Sequence, residues 1–109
     1  MPFDGLAVNL QNLHCLSNAR TRSISAENPT GAKAAGGMAT EGAATNQTRD
    51  LGRGWKVSPC VKIGEGETFT VADIEGPGAI QQVWMTAAAD WRLMILRSYW
   101  DDQDTPSVE

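Results

Sequence analysis

A helical spacing of leucines opens the chain and then disappears. The leucines recur three or four residues apart, at Leu6, Leu10, Leu13 and Leu16. This spacing predicts one short amphipathic helix from Asp4 to Ser17, with Asp4 as its N-cap, so that residues 1–17 form a helical segment. Residues 18–54 have neither a helical nor a strand period, and most residues from Ala34 to Ala43 are Ala or Gly. We expect a long Gly/Ala-rich loop there, and loops of that length tend to be functional or mobile.

The pattern changes to short apolar segments separated by turn residues over 55–109. Candidate strands cover Trp55–Ile63, Thr68–Ile74, Ala79–Thr86 and Trp91–Trp100. A turn is predicted at 64–67 and a sharp break at 76–78, where glycines interrupt the apolar pattern. The sequence therefore predicts an all-β fold, an antiparallel β-sandwich or jelly roll.

The number of strands predicts a partial domain over residues 1–109. Roughly four strands are visible, whereas a jelly roll has about eight. A half-sandwich leaves an apolar face and strand edges uncovered, so we expect the chain to be truncated or to assemble with partners. The alternative is a complete small β-domain with a long amino-terminal arm.

The charge of the chain excludes some classes of function. The formal net charge of −4 is a poor match to nucleic acid, where Lys and Arg neutralise phosphates. No apolar run approaches the roughly 20 residues that cross a bilayer. The first 16 residues lack a basic region and contain polar interruptions, so we expect no signal peptide and no membrane association. The expected location is therefore cytoplasmic.

The cysteines do not form a metal-binding motif. Cys15 and Cys60 stand far apart, and His14 is the sole histidine of the sequence. We expect two free thiols, with a disulfide as the alternative, and no zinc site or other cofactor.

Four stretches carry a resemblance to a known family. They are Arg20–Gly31, Asp50–Pro59, Ala72–Thr86 and Tyr99–Glu109. In this order they resemble the start of the DUF2961 proteins, which are grouped as glycoside hydrolase family 172. The resemblance extends over essentially the whole chain.

The resemblance implies a fold and an activity. Family members have a double jelly roll, of which this chain would be the first half, and they assemble as trimers or multiples of trimers. They act on α-linked furanosides, as α-D-fructofuranosidases, difructose dianhydride I synthases or hydrolases, and α-D-arabinofuranosidases. Their two catalytic glutamates lie beyond the region matched here, so we expect no catalytic residue in this chain. Departures from the family pattern at Gln82, Ala34 and Ala35 leave the substrate open.

The stretch before Pro29 is the candidate sugar-binding segment. It is dense in hydrogen-bonding side chains, from which we predict substrate contacts by Arg22, Ser23, Glu27 and Asn28. The alternative is a structural loop whose arginines pair with Glu27 or with a neighbouring subunit.

Other residues offer weaker candidates. Trp84 is predicted to stack on a sugar ring, although tryptophans in strands more often belong to a core. Asp73 and Glu75 share a face of a predicted strand, as a pair of catalytic carboxylates would. The alternative is that they only flank the turn at 76–78. The cluster Asp101, Asp102 and Asp104 is either a solvated turn or a calcium site. The rival to the hydrolase hypothesis is a non-catalytic jelly-roll module for carbohydrate binding or oligomer assembly.

Overall fold

A computed structural model describes residues 4–6, 8–88 and 90–109. The chain divides into two compact units, Met1–Pro77 and Gly78–Glu109, and each is described by itself. The division falls within the glycine-proline-glycine stretch at 76–78, where the sequence predicted a sharp break.

A tight reversal at Ser25–Asn28 organises the first unit. The two residues form an isolated antiparallel bridge, in which Ser25 N donates to Asn28 O at 3.1 Å and Asn28 N donates to Ser25 O at 2.9 Å. Gly31 follows with a φ of +64° and is buried. The positive φ favours glycine, and the space is tight as well, because a Cβ at Gly31 would lie 3.0 Å from Ile24 Cγ1.

A single helical turn, α1 (Thr45–Thr48), lies in the predicted loop. Its preceding residue, Ala44, provides no side-chain cap, and Thr45 compensates because its hydroxyl accepts from Gly42 N and donates to Gly42 O, both at 2.8 Å. The Thr48 hydroxyl donates to Ala44 O at 2.8 Å. These threonine contacts stabilise the turn locally, since one helical turn is too short to be stable through propensity.

Val57 is buried within the first unit. It is 3% exposed, and it is the buried hydrophobic residue of the part of the chain that the structure describes. Ala44 N donates to Val57 O at 2.9 Å, which ties the start of α1 to this position. Gly42 approaches so closely that a Cβ there would lie 2.6 Å from Val57 O. Further along, Gly54 N donates to Gly37 O at 2.9 Å and closes the loop between them.

The second unit contains a 3-10 turn, Trp91–Leu93, and one isolated bridge. The Asp90 carboxylate caps the 3-10 turn by accepting from Arg92 N at 3.0 Å. Ser98 N donates to Val108 O at 3.0 Å across the bridge.

The segment between Ser98 and Val108 reverses its direction at two adjacent residues that both adopt a left-handed backbone conformation. Asp101 and Asp102 have φ values of +50° and +58°. Beside the bridge, Arg97 Nη2 contacts Glu109 Oε1 at 3.1 Å, and this hydrogen bond together with the negative charge raises the pKa of Arg97.

The predicted all-β sandwich or jelly roll is wrong. Across the described residues there is no sheet, and the β-structure consists of the two isolated bridges. The turn at 64–67 does form, with Glu67 N donating to Gly64 O at 3.1 Å and Gly64 N donating to Glu67 Oε2 at 2.7 Å, yet the flanking segments do not pair. The alternation of apolar and polar residues specifies which side chains share a face of a strand. It does not specify which other segment provides the hydrogen-bonding partners of that strand.

The predicted amino-terminal helix over Asp4–Ser17 is also wrong. The described residues form a turn at 10–14 instead; residues 1–3 and 7 of the predicted segment lie outside the described residues. Asn9 N donates to Asn12 Oδ1 at 2.8 Å and Gln11 N donates to Asn9 Oδ1 at 2.9 Å. These side chains offer the backbone an alternative to helical hydrogen bonds, which overrides the leucine spacing.

Large apolar side chains are exposed in both units. Leu10 and Leu16 are 88% and 93% exposed, and Leu93 is 82% exposed. Cys15 and Cys60 are free thiols, with Cys15 Sγ 3.7 Å from His14 Nε2. Of the helices in the described residues, none has the length and apolar character that spanning a bilayer requires.

Candidate functional site

Asn28 uses its side chain to hold the reversal together. Its Nδ2 donates to Ala32 O at 2.9 Å, and its Oδ1 accepts from the Thr30 hydroxyl at 3.5 Å. Gly31 N donates to Asn28 O at 3.2 Å. These contacts give Asn28 a structural role in the turn; its predicted contact with substrate stays a prediction.

Glu27 connects the reversal to the segment that carries Val57. Its Oε1 accepts from Ser58 N at 2.5 Å, a charge-assisted hydrogen bond across 31 residues of sequence. Its Oε2 is buried, and no described residue donates a hydrogen bond to it. The arginines of the segment therefore do not pair with Glu27 in the described structure, whereas their predicted pairing with a neighbouring subunit stays a prediction.

Arg22 lies at an open concavity of about 640 Å³. The residues that line it are Arg20, Thr21, Arg22 and Lys33. Arg22 Nη1 donates to Thr21 O at 2.8 Å, which fixes one edge of the guanidinium. The ion pairs of the described residues are Arg49–Asp50 and Arg97–Glu109, so the three cations of the concavity have no acidic partner among those residues. The concavity presents a surface of hydrogen-bond donors.

The chain reversal explains why Lys33 lines the same concavity as Arg20 and Arg22, which precede it by more than ten positions. The chain turns back through Asn28 and the left-handed Gly31, and Lys33 follows immediately. Lys33 was not predicted from the sequence. Its signal was the Asn-Pro dipeptide followed by glycine at 28–31, which marks a turn and so returns the next charged residue towards the preceding arginines.

The remaining candidates are not assembled into a site. Ser23 is exposed, and so are Asp73 and Glu75. Trp84 belongs to the second unit and is 75% exposed, so its ring is available to solvent, and its predicted stacking role stays untested. Within the described residues no group of three or more His, Cys, Asp or Glu is arranged to hold a metal ion, and this includes the turn 101–104.

Comparison with known proteins adds no family to this picture. No protein-family model matches the chain, and no curated protein matches it. The resemblance to glycoside hydrolase family 172 stays a prediction from the quoted stretches.

Proposed function

We propose that this chain supplies substrate-binding residues to a retaining glycoside hydrolase of α-linked furanosides, with the catalytic glutamates outside this chain. The observation that carries the proposal is the concavity at Arg20, Thr21, Arg22 and Lys33. It lies at the Arg20–Gly31 stretch, which is part of the resemblance to the furanoside hydrolases. Fructofuranosides and arabinofuranosides are the expected substrates.

The donors at the concavity suit the oxygens of a sugar. A guanidinium carries five N–H groups, of which Arg22 commits one to Thr21 O, so the others are available for hydroxyl and ring oxygens. The Thr21 hydroxyl both donates and accepts.

This chain is proposed to bind rather than to cleave. A retaining glycosidase uses two carboxyl groups about 5–5.5 Å apart, one as nucleophile and one as acid/base. Asp73 and Glu75 are exposed, and neither lines the concavity. We therefore expect this chain alone not to hydrolyse an aryl α-arabinofuranoside. Turnover that is lost on Asp73→Asn or Glu75→Gln would contradict this expectation.

The binding proposal is tested by NMR titration with methyl α-D-arabinofuranoside and difructose dianhydride I. Amide shifts are expected at 20–33, and Arg22→Gln is expected to weaken binding by about two- to tenfold, as for the loss of one hydrogen bond. Arg53→Gln is the control, because it removes an exposed arginine that does not line the concavity. Saturating shifts confined to other residues, or none with either sugar, would refute the proposal.

A second candidate function is assembly with other copies of this chain. The observation in its favour is the exposure of large apolar side chains, among them Leu93 at 82% and Trp84 at 75%. Exposed apolar patches are normally occupied by a partner. Sedimentation velocity is expected to show trimers or larger species at micromolar concentration; a single monomeric species with no binding of a hydrophobic dye would rule this function out.

A further inference from the structure

We propose that the concavity of Arg20, Arg22 and Lys33 is an oxyanion site that binds the phosphate group of a small phosphate ester. The proposal stands on the charge and geometry of this concavity and does not require the furanoside hydrolase function. If both hold, the sugar that this chain binds carries a phosphate.

The first observation is the concentration of positive charge in an acidic chain. The formal net charge is −4, yet three of the four residues lining the concavity are cations. No described acidic residue forms an ion pair with Arg20, Arg22 or Lys33. Mutual repulsion between cations that line one concavity is relieved by a bound anion, and the net negative charge of the chain disfavours long polyanions such as nucleic acids.

The second observation is that the backbone positions these cations. The Ser25–Asn28 bridge and the hydrogen bond from Asn28 Nδ2 to Ala32 O hold the chain reversal, which brings Lys33 back to the two arginines. Arg22 is further oriented by its hydrogen bond to Thr21 O. A cation whose orientation is fixed before binding loses less freedom when the anion arrives.

The donor set fits a phosphate dianion better than a carboxylate. An ester phosphate presents three terminal oxygens and close to two negative charges, whereas a carboxylate presents two oxygens and one charge. Two guanidinium groups offer paired N–H donors to such oxygens, and the ammonium adds a third charged donor. The Thr21 hydroxyl is a neutral donor on the same surface.

The experiment is an NMR titration of the whole chain at about pH 8, above the second pKa of a phosphate ester. The probes are glucose 6-phosphate, inorganic phosphate and glucose. We expect saturable amide shifts over 20–33 with both phosphates and none with glucose. Tighter binding of glucose 6-phosphate than of inorganic phosphate identifies an ester as the ligand; binding of inorganic phosphate alone would overturn the ester assignment.

Charge-removing variants test whether these three residues form the site. Arg20→Gln, Arg22→Gln and Lys33→Gln are each expected to weaken glucose 6-phosphate binding by about two- to fivefold, the range for exposed charge pairs, and the triple variant to abolish it. Arg53→Gln is the matched control and is expected to bind normally. Lys33→Arg keeps the charge and is expected to retain binding, which separates loss of charge from loss of folding.

Three results would overturn the proposal. They are the absence of saturable shifts with either phosphate, unchanged binding in the triple variant, and equal weakening by Arg53→Gln, which would indicate a general charge effect. Independence of binding from salt between about 0.05 and 0.5 M would also contradict it, because exposed charges are screened over this range.

Discussion

Replacing Glu27 with alanine tests the connection between the reversal and the segment that carries Val57. The Glu27 carboxylate accepts from Ser58 N at 2.5 Å, next to the residue on which the first unit packs. In the alanine variant Ser58 N loses its acceptor in a partly buried position. We expect the segment to open more often, with Ala44 N released from Val57 O as a consequence.

The magnitude follows from the type of hydrogen bond. Hydrogen bonds to charged groups contribute about 1.5–3 kcal/mol. Since about 1.4 kcal/mol changes an equilibrium tenfold, amide exchange at Ala44 is expected to accelerate by roughly tenfold to a hundredfold. The assay is hydrogen exchange resolved by NMR, with the Ser98 amide of the second unit as an internal reference.

Two matched variants make this result interpretable. Ser58→Ala keeps the backbone N–H that donates to Glu27 and is expected to leave exchange at Ala44 unchanged. Glu27→Gln keeps an acceptor but removes its charge, so we expect an intermediate effect. Exchange at Ala44 within twofold of the parent chain in Glu27→Ala, or equal acceleration in Ser58→Ala, would refute the reasoning. A loss of sugar binding in Glu27→Gln without faster exchange would assign Glu27 to the substrate.

Four further substitutions and one change of salt concentration probe other contacts. Gly42→Ala is expected to destabilise the first unit by about 1–3 kcal/mol, because a Cβ would lie 2.6 Å from Val57 O. Gly36→Ala, with open space around it, is expected to be neutral or slightly stabilising in the same exchange assay. Asp102→Gly is expected to protect the Ser98 amide by relieving a φ of +58°, whereas Asp104→Gly is expected to reduce protection. Raising salt is expected to change exchange beside the exposed Arg97 pair by less than about fivefold, and a larger change would show that the pair contributes more than exposed pairs do.

The sequence predicted local reversals well and long-range pairing poorly. The turn at 64–67 and the break at 76–78 were predicted correctly, because a turn depends on the conformational preferences of a few adjacent residues. The helix over Asp4–Ser17 was predicted from leucine spacing and from Asp4 as its N-cap, but the side chains of Asn9 and Asn12 accept hydrogen bonds from nearby backbone instead. The sandwich failed for a different reason, since a ladder requires two segments and the alternation describes each segment separately.

One residue that lines the concavity was among the predicted substrate contacts, and its role in binding stays a prediction. Arg22 was named from the density of hydrogen-bonding residues before Pro29, and it does line the concavity. Glu27 and Asn28 were predicted from the same group of polar residues, yet their side chains form hydrogen bonds with the backbone of the first unit. A polar side chain in a turn often bonds to nearby backbone and is then less available to a ligand. Lys33 was not predicted, because its position at the concavity depends on the path of the chain, which composition does not determine.

The hydrogen bond between Gly54 N and Gly37 O has a consequence for protein engineering. It brings together the two ends of the loop 38–53, so the loop leaves and re-enters the first unit at nearly one point. Lengthening a loop with closed ends is inexpensive, since doubling its length costs only about 0.6 kcal/mol. Its residues Asn46 and Gln47 are exposed. A fluorescent domain or an affinity peptide inserted between Asn46 and Gln47 would interrupt α1 while leaving the ends of the loop in place, which makes this position a site for attaching reporters to the chain.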